Sequence, residues 1–180
     1  MSQALVFAKE IRVYQPIPFP EYDGVTADRT DCIIRYQVIQ DNYGSFKGKT
    51  IYDLCSANCF FGFRFLQDGG KSVVAVEKDD NTRKFVNTLA KEKGLILDCE
   101  REPLLEEIAL YAQADIGLYL DTHYSEGTQG YPEHMKKMVR VVFTSSCERQ
   151  EDYKTLLQSL FPNVEKIYKG FQERVIYKCW

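Results

Sequence analysis

The chain has 180 residues, enough for one domain with a full core, and its 44% hydrophobic and 27% charged residues are ordinary for a globular protein. A formal net charge of −3 and the lack of any Lys/Arg run leave no electrostatic footprint for a nucleic-acid partner. No apolar run is long enough to span a membrane, and the N-terminus MSQALVFAKEIRVY has neither a basic leader nor a long apolar segment. Without an export signal, the six irregularly spaced cysteines are expected as free thiols in a reducing, cytoplasmic compartment.

In chain order, residues 1–27 carry Pro16, Pro18 and Pro20 at alternate positions, which predicts an extended strap rather than a helix. Val13 to Gln15 is either a short strand or part of that strap. Asp28 is the expected N-cap of the next helix, with Asp31 in its first turn. Cys32, Tyr36, Ile39 and Tyr43 recur at helical spacing, Ile33 broadens the stripe, and Gly44 and Gly48 close it. Arg29 and Arg35 are either solvated helix charges or part of a cap over a bound cofactor or an anionic substrate group.

The stretch from Lys49 to Asp80 organises the rest. It reads as a strand (Ile51 to Leu54), a small-residue turn (Cys55 to Cys59), an aromatic helix (Phe60 to Gln67), a Gly-Gly stop and a second strand (Val73 to Val76) ending in Glu77. That order is the unit that binds an adenosine-containing cofactor on a doubly wound sheet. The turn lets the ligand approach backbone, the helix start offers N–H groups, and the terminal carboxylate accepts from ribose hydroxyls.

Asp79, Asp80 and Asn81 supply capping oxygens for a helix whose inner face is Phe85, Val86, Leu89 and Ala90. Gly94 ends it, and Leu95 to Leu97 is a third strand followed by Asp98. Pro103 opens a further helix, with Leu104, Leu105, Ile108 and Ala112 inward. Asp115 to Leu120 is a fourth strand that empties into a polar loop, Asp121 to Gly127. A short helix (Pro132 to Met138), a fifth strand (Val139 to Thr144) and an amphipathic helix bearing Tyr153, Leu156, Leu157 and Leu160 follow. Val164 to Tyr168 and Arg174 to Tyr177, joined through Gly170, must pair antiparallel because their connection is too short for a crossover.

The expected fold is α/β: a doubly wound, mostly parallel seven-stranded sheet with helices on both faces and a C-terminal antiparallel hairpin. Residues 1–48 form a strap and helix capping the same domain, whose body is 49–180. Ligands in such sheets sit beyond the strands' C-terminal ends, where Asp53, Glu77, Asp98 and Asp121 fall. Cys55, Cys59, Cys99 and Cys147 lie near those ends too, but Cys-x3-Cys is not a common zinc spacing, and buried small hydrophobes are expected rather than a metal site.

From about Ile33 to Tyr177 the sequence resembles the class I S-adenosylmethionine-dependent methyltransferases. The resemblance implies that Asp53 lies near the cofactor's amino group and that Cys55, Ser56, Ala57 and Asn58 line the cradle. Glu77 would take the ribose diol, with Lys78 beside it, Asp98 and Cys99 would meet the adenine edge, and Asp121 would mark the reacting centre. Where the family prefers glycine, this chain has Cys55, Ala57 and Cys59, and each non-glycine residue at φ > 0 costs on the order of 1 kcal/mol. The implied activity is methyl transfer from S-adenosylmethionine to a small-molecule acceptor by in-line displacement, with His123 or Asp121 as the base if one is needed. Tyr14, Arg29, Arg35 and Tyr124 are candidates for contacting the acceptor. The alternative is a methyltransferase-like binding or assembly protein without catalysis.

Overall fold

The computed structural model describes residues 2–101, 114–120, 135–136, 139–146, 150–170 and 174–180. The chain divides into two compact units, Met1–Glu102 and Pro103–Trp180. Among the described residues there are seven strands, five α-helices and one 3-10 turn.

Unit 1 contains α1 (Gln3–Ala8), the 3-10 turn Pro20–Tyr22, α2 (Cys32–Tyr43), β1 (Thr50–Leu54), α3 (Phe60–Gln67), β2 (Ser72–Val76), α4 (Asp80–Glu92) and β3 (Leu97–Glu100). Its strands lie in the order β3-β2-β1 and are all parallel. Asp53 pairs with Ala75 and Ala75 with Cys99, so the three strands finish level with one another. Val73, Ala75 and Val76 of β2 are buried, as are Phe60, Phe61, Phe63 and Phe65 of α3 and the expected Phe85, Val86, Leu89 and Ala90 of α4. The strap buries Val13, Gln15, Ile17 and Phe19 and leaves the intervening Pro16 and Pro18 half-buried. That alternation is what an extended, strand-like backbone with a two-residue side-chain period produces. Phe19 meets Phe63 edge-on at 5.5 Å.

Unit 2 contains β4 (Ala114–Tyr119), β5 (Val139–Ser146), α5 (Gln150–Leu160), β6 (Val164–Lys169) and β7 (Val175–Cys179). Its order is β4-β5-β7-β6, with β4 parallel to β5 and β7 antiparallel to both of its neighbours. The terminal hairpin is therefore antiparallel as expected, and its second strand lies beside β5. Leu118, Phe143, Ile176 and Leu157 fill the core.

Four local expectations are corrected. The N-terminus carries a helix, α1, whose first N–H groups are capped from a distance: Gln3 and Ala4 N–H donate to Glu92 Oε1 at 2.8 and 3.2 Å, and Leu5 N–H to Ser2 Oγ. No local pattern could reveal a cap about ninety residues away. Helix α2 starts at Cys32, one turn after Asp28, because Asp28 and Arg29 N–H donate to the strap carbonyls of Val13 and Tyr14. Ile33 does not join the inner stripe but is 56% exposed. Strand β3 begins at Leu97 rather than Leu95, since Gly94 takes φ +63° and Leu95 N–H still bonds the Ala90 carbonyl, closing the helix end.

The edge strand β3 has an unusual neighbour. Asn87 of α4 donates to the Cys99 carbonyl at 2.9 Å and accepts from Cys99 N–H at 2.8 Å, pairing with one residue as a strand would.

Phe85 is fully buried and its ring lies 6.3 Å from that of Tyr22. Phe85→Ala should lower the unfolding free energy by about 3–5 kcal/mol in denaturant titration. Ile34→Ser, at a position 57% exposed, should change it by less than about 0.5 kcal/mol.

Candidate cofactor site

The turn between β1 and α3 is the centre of unit 1's strand ends. Three non-glycine residues there have positive φ: Cys55 (56°), Ala57 (49°) and Cys59 (60°). These are the three positions where the resemblance places glycine, and here residues with side chains adopt the left-handed backbone. At about 1–2 kcal/mol per residue the conformation is costly and must be held by its surroundings.

Several bonds hold it. Ser56 N–H donates to the Val76 carbonyl at 2.9 Å, and Ala57 N–H to Glu77 Oε2 at 2.9 Å. Glu77 Oε1 also accepts from Asp79 N–H at 3.0 Å. A carboxylate offers about four lone-pair positions, so Glu77 keeps acceptor capacity for a diol while organising the turn. On the other side Asn58, buried, donates to the Gln15 carbonyl at 2.6 Å and accepts from Gln15 N–H at 2.7 Å. The Gln15 side chain accepts from Phe60 N–H at 3.1 Å, capping α3. Gly62 makes room for this arrangement: a Cβ there would lie 2.5 Å from Cys59 Sγ.

Beneath the turn lies Asp53, 3% exposed, whose Oδ2 has no hydrogen-bond partner among the described residues. Burial, then the like charge of Glu77, push its carboxyl up to about 8, against the opposing pull of Arg35. Arg35 is itself buried, its guanidinium 5.6 Å from the Phe61 ring centre. Arg29 forms a two-bond pair with Asp31 and donates to the Tyr14 hydroxyl at 3.1 Å. Neither arginine is a solvated helix charge. Cys59 and Cys99 are raised by burial, Cys99 to about 12, so both are neutral thiols.

The structure therefore brings Asp53, Cys55, Ser56, Ala57, Asn58 and Glu77 together at one turn. Lys78 is exposed beside Glu77, and its carbonyl accepts from Arg83. Asp98 lies inside β3, exposed and level with Val74, while the strand end is Glu100, whose carbonyl accepts from Glu77 N–H at 3.1 Å. Gln15 and Glu100 were not among the residues singled out from sequence; an acid two places beyond Asp98 was the one available sign of the second. Asp121, His123, Tyr124, Cys147 and the segment from Pro103 to Ala112 lie outside the described residues. Among those described, no group of three or more His, Cys, Asp or Glu could hold a metal ion, and no helix is long and apolar enough to cross a membrane.

Strands, turn and helices of unit 1 form a Rossmann-like β-α-β-α-β unit. No family model and no curated relative matches the chain. Among solved structures, the bifunctional kinase-methyltransferase WbdD superposes with a TM-score of 0.81 at 17% identity, covering 98% of this chain and 46% of its own. The T. thermophilus 16S rRNA N2 G1207 methyltransferase RsmC, solved with AdoMet and guanosine, gives 0.69 at 16%, covering 88% of this chain and 44% of its own. The Pyrococcus horikoshii protein PH1948, provisionally named an RNA methyltransferase, gives 0.63 at 14% and covers 99% and 98%. This chain thus spans about half the length of the WbdD chain it matches. Its fold is that of the class I S-adenosylmethionine-dependent methyltransferases.

S-adenosylmethionine fits the residues at the cradle's two ends. The unpartnered Asp53 oxygen suits an ammonium group, and the spare lone pairs of Glu77 suit a diol. Between them, the Cβ atoms of Cys55 and Ala57 narrow the approach to backbone.

Two measurements follow. The Asp53 carboxyl ionises near 3.8 when unfolded and at about 8 when folded, so between those values only the folded chain holds the proton. Stability should fall as pH rises from about 4 to about 8, and Asp53→Asn should flatten that slope in thermal melts across pH. Gly62→Ala should cost on the order of 1–3 kcal/mol through overpacking, part of it recovered when Cys59→Ala removes the facing sulfur, since Val73 Cγ1 would still lie 3.0 Å from the added Cβ.

Proposed function

We propose that the chain is an S-adenosylmethionine-dependent methyltransferase with a small-molecule acceptor, built on a doubly wound sheet with helices on both faces. The observation that carries this is the left-handed turn held by Glu77 above the unpartnered Asp53 oxygen. Glu77 would accept from the ribose hydroxyls and Asp53 would pair with the amino group, with Ser56, Ala57 and Asn58 forming the wall between. Glu100, at the end of β3, joins Asp98 and Cys99 as a candidate for the adenine edge; the backbone N–H of Cys99 is already taken by Asn87. When bound, the cofactor supplies an electrophilic methyl group on a sulfonium. The protein's task is then chiefly to hold the acceptor in line, with His123 or Asp121 taking a proton where the acceptor carries one. Tyr14, Arg29, Arg35 and Tyr124 are the proposed acceptor contacts. The net charge of −3 supports a small acceptor over RNA.

A second reading, a non-catalytic binding protein, has its own support: the Ala57 and Phe60 N–H groups are satisfied within the chain, and the three glycine positions carry side chains. Calorimetric titration with S-adenosylhomocysteine separates the two. Micromolar binding abolished by Glu77→Ala supports the enzyme, and no heat at millimolar ligand sinks it. With an acceptor identified, His123→Ala should lower turnover and leave cofactor affinity unchanged; unaltered turnover removes His123 as the base.

A further inference from the structure

The strap crosses the cradle at one residue. Gln15 makes three hydrogen bonds to the turn: its N–H and carbonyl are paired with the Asn58 side chain at 2.7 and 2.6 Å, and its Oε1 accepts from Phe60 N–H at 3.1 Å. Asn58 and Phe60 flank Cys59, which has φ +60° and a fully buried side chain. The two partners of the clamp are 8% and 1% exposed, so water offers little substitute. A cysteine left in this conformation without the clamp would relax toward negative φ and carry the start of α3 with it, whereas glycine would stay.

We propose that Gln15 is a positioning residue that fixes the cradle through Cys59, supplying from the strap the constraint that glycine would otherwise make unnecessary. The proposal rests on the cradle being the cofactor site. It assigns the strap a part in ligand affinity without requiring Gln15 to touch the ligand.

Gln15→Met keeps the volume and the two main-chain bonds but removes the acceptor for Phe60 N–H. It should speed hydrogen exchange at the Phe60 amide and weaken S-adenosylhomocysteine binding about tenfold, the size of one lost buried hydrogen bond. Gln15→Glu keeps an acceptor oxygen and should bind within about threefold of the parent. In a Cys59→Gly background, Gln15→Met should still speed exchange at the Phe60 amide, which has lost its acceptor either way, but should lose most of its effect on affinity and on exchange at the Ala57 amide, which reports the turn. A purely structural role predicts instead that the two substitutions multiply, and that outcome, or unchanged exchange at Phe60 in Gln15→Met, overturns the proposal. If the parent chain binds no S-adenosylhomocysteine, the cofactor reading fails, while exchange at the Ala57 amide in Gln15→Met, with and without Cys59→Gly, still decides the role of Gln15.

Discussion

The constraint on which unit 1 depends is the left-handed turn between β1 and α3. A strand and a helix joined by five residues can meet only if the chain reverses sharply, and here every second residue from Cys55 to Cys59 does so at positive φ. Glycine would adopt this freely, but cysteine and alanine do so only under restraint. The restraints come from three directions: β2 through Val76 and Glu77, the strap through Gln15, and α3 through the space left at Gly62. The turn's shape is thus a property of the tertiary structure, and the same contacts that shape it use up the N–H donors of Ala57 and Phe60.

Electrostatics at the floor of the cradle follow from burial. Asp53 is enclosed, and desolvation, then the like charge of Glu77, raises its carboxyl against the opposing pull of Arg35. Burial holds this carboxyl above the ordinary carboxylate range, so a cation beside it would favour the ionised form. The surrounding thiols of Cys59 and Cys99 stay neutral for the same reason and pack as small apolar groups.

Much of this was legible in the sequence because it is local. The bounds of α3, the inner face of α4 and the antiparallel hairpin each follow from runs of residues within one or two elements, and the odd turn announced itself by lacking glycine. What escaped was set at long range. Helix α1 depends on Glu92, the start of α2 on the strap carbonyls, and the capping of α3 on Gln15, forty-five residues away. The third strand moved because the end of α4 wraps through Leu95, which turned Asp98 into a mid-strand residue and left Glu100 at the strand's end. Arg35 reads as a surface charge by helical spacing, and only the packing of α2 on α3 buries it.

The bracket that Asn87 forms on Cys99 has a consequence for how unit 1 meets other chains. Strand β3 ends the order β3-β2-β1, and such an edge carries outward N–H and carbonyl groups that invite another strand. At Cys99 both groups are already engaged by one amide side chain from the protein's own helix. A foreign strand could dock there only by evicting Asn87, so this side chain guards the protein against sheet-to-sheet polymerisation along that edge.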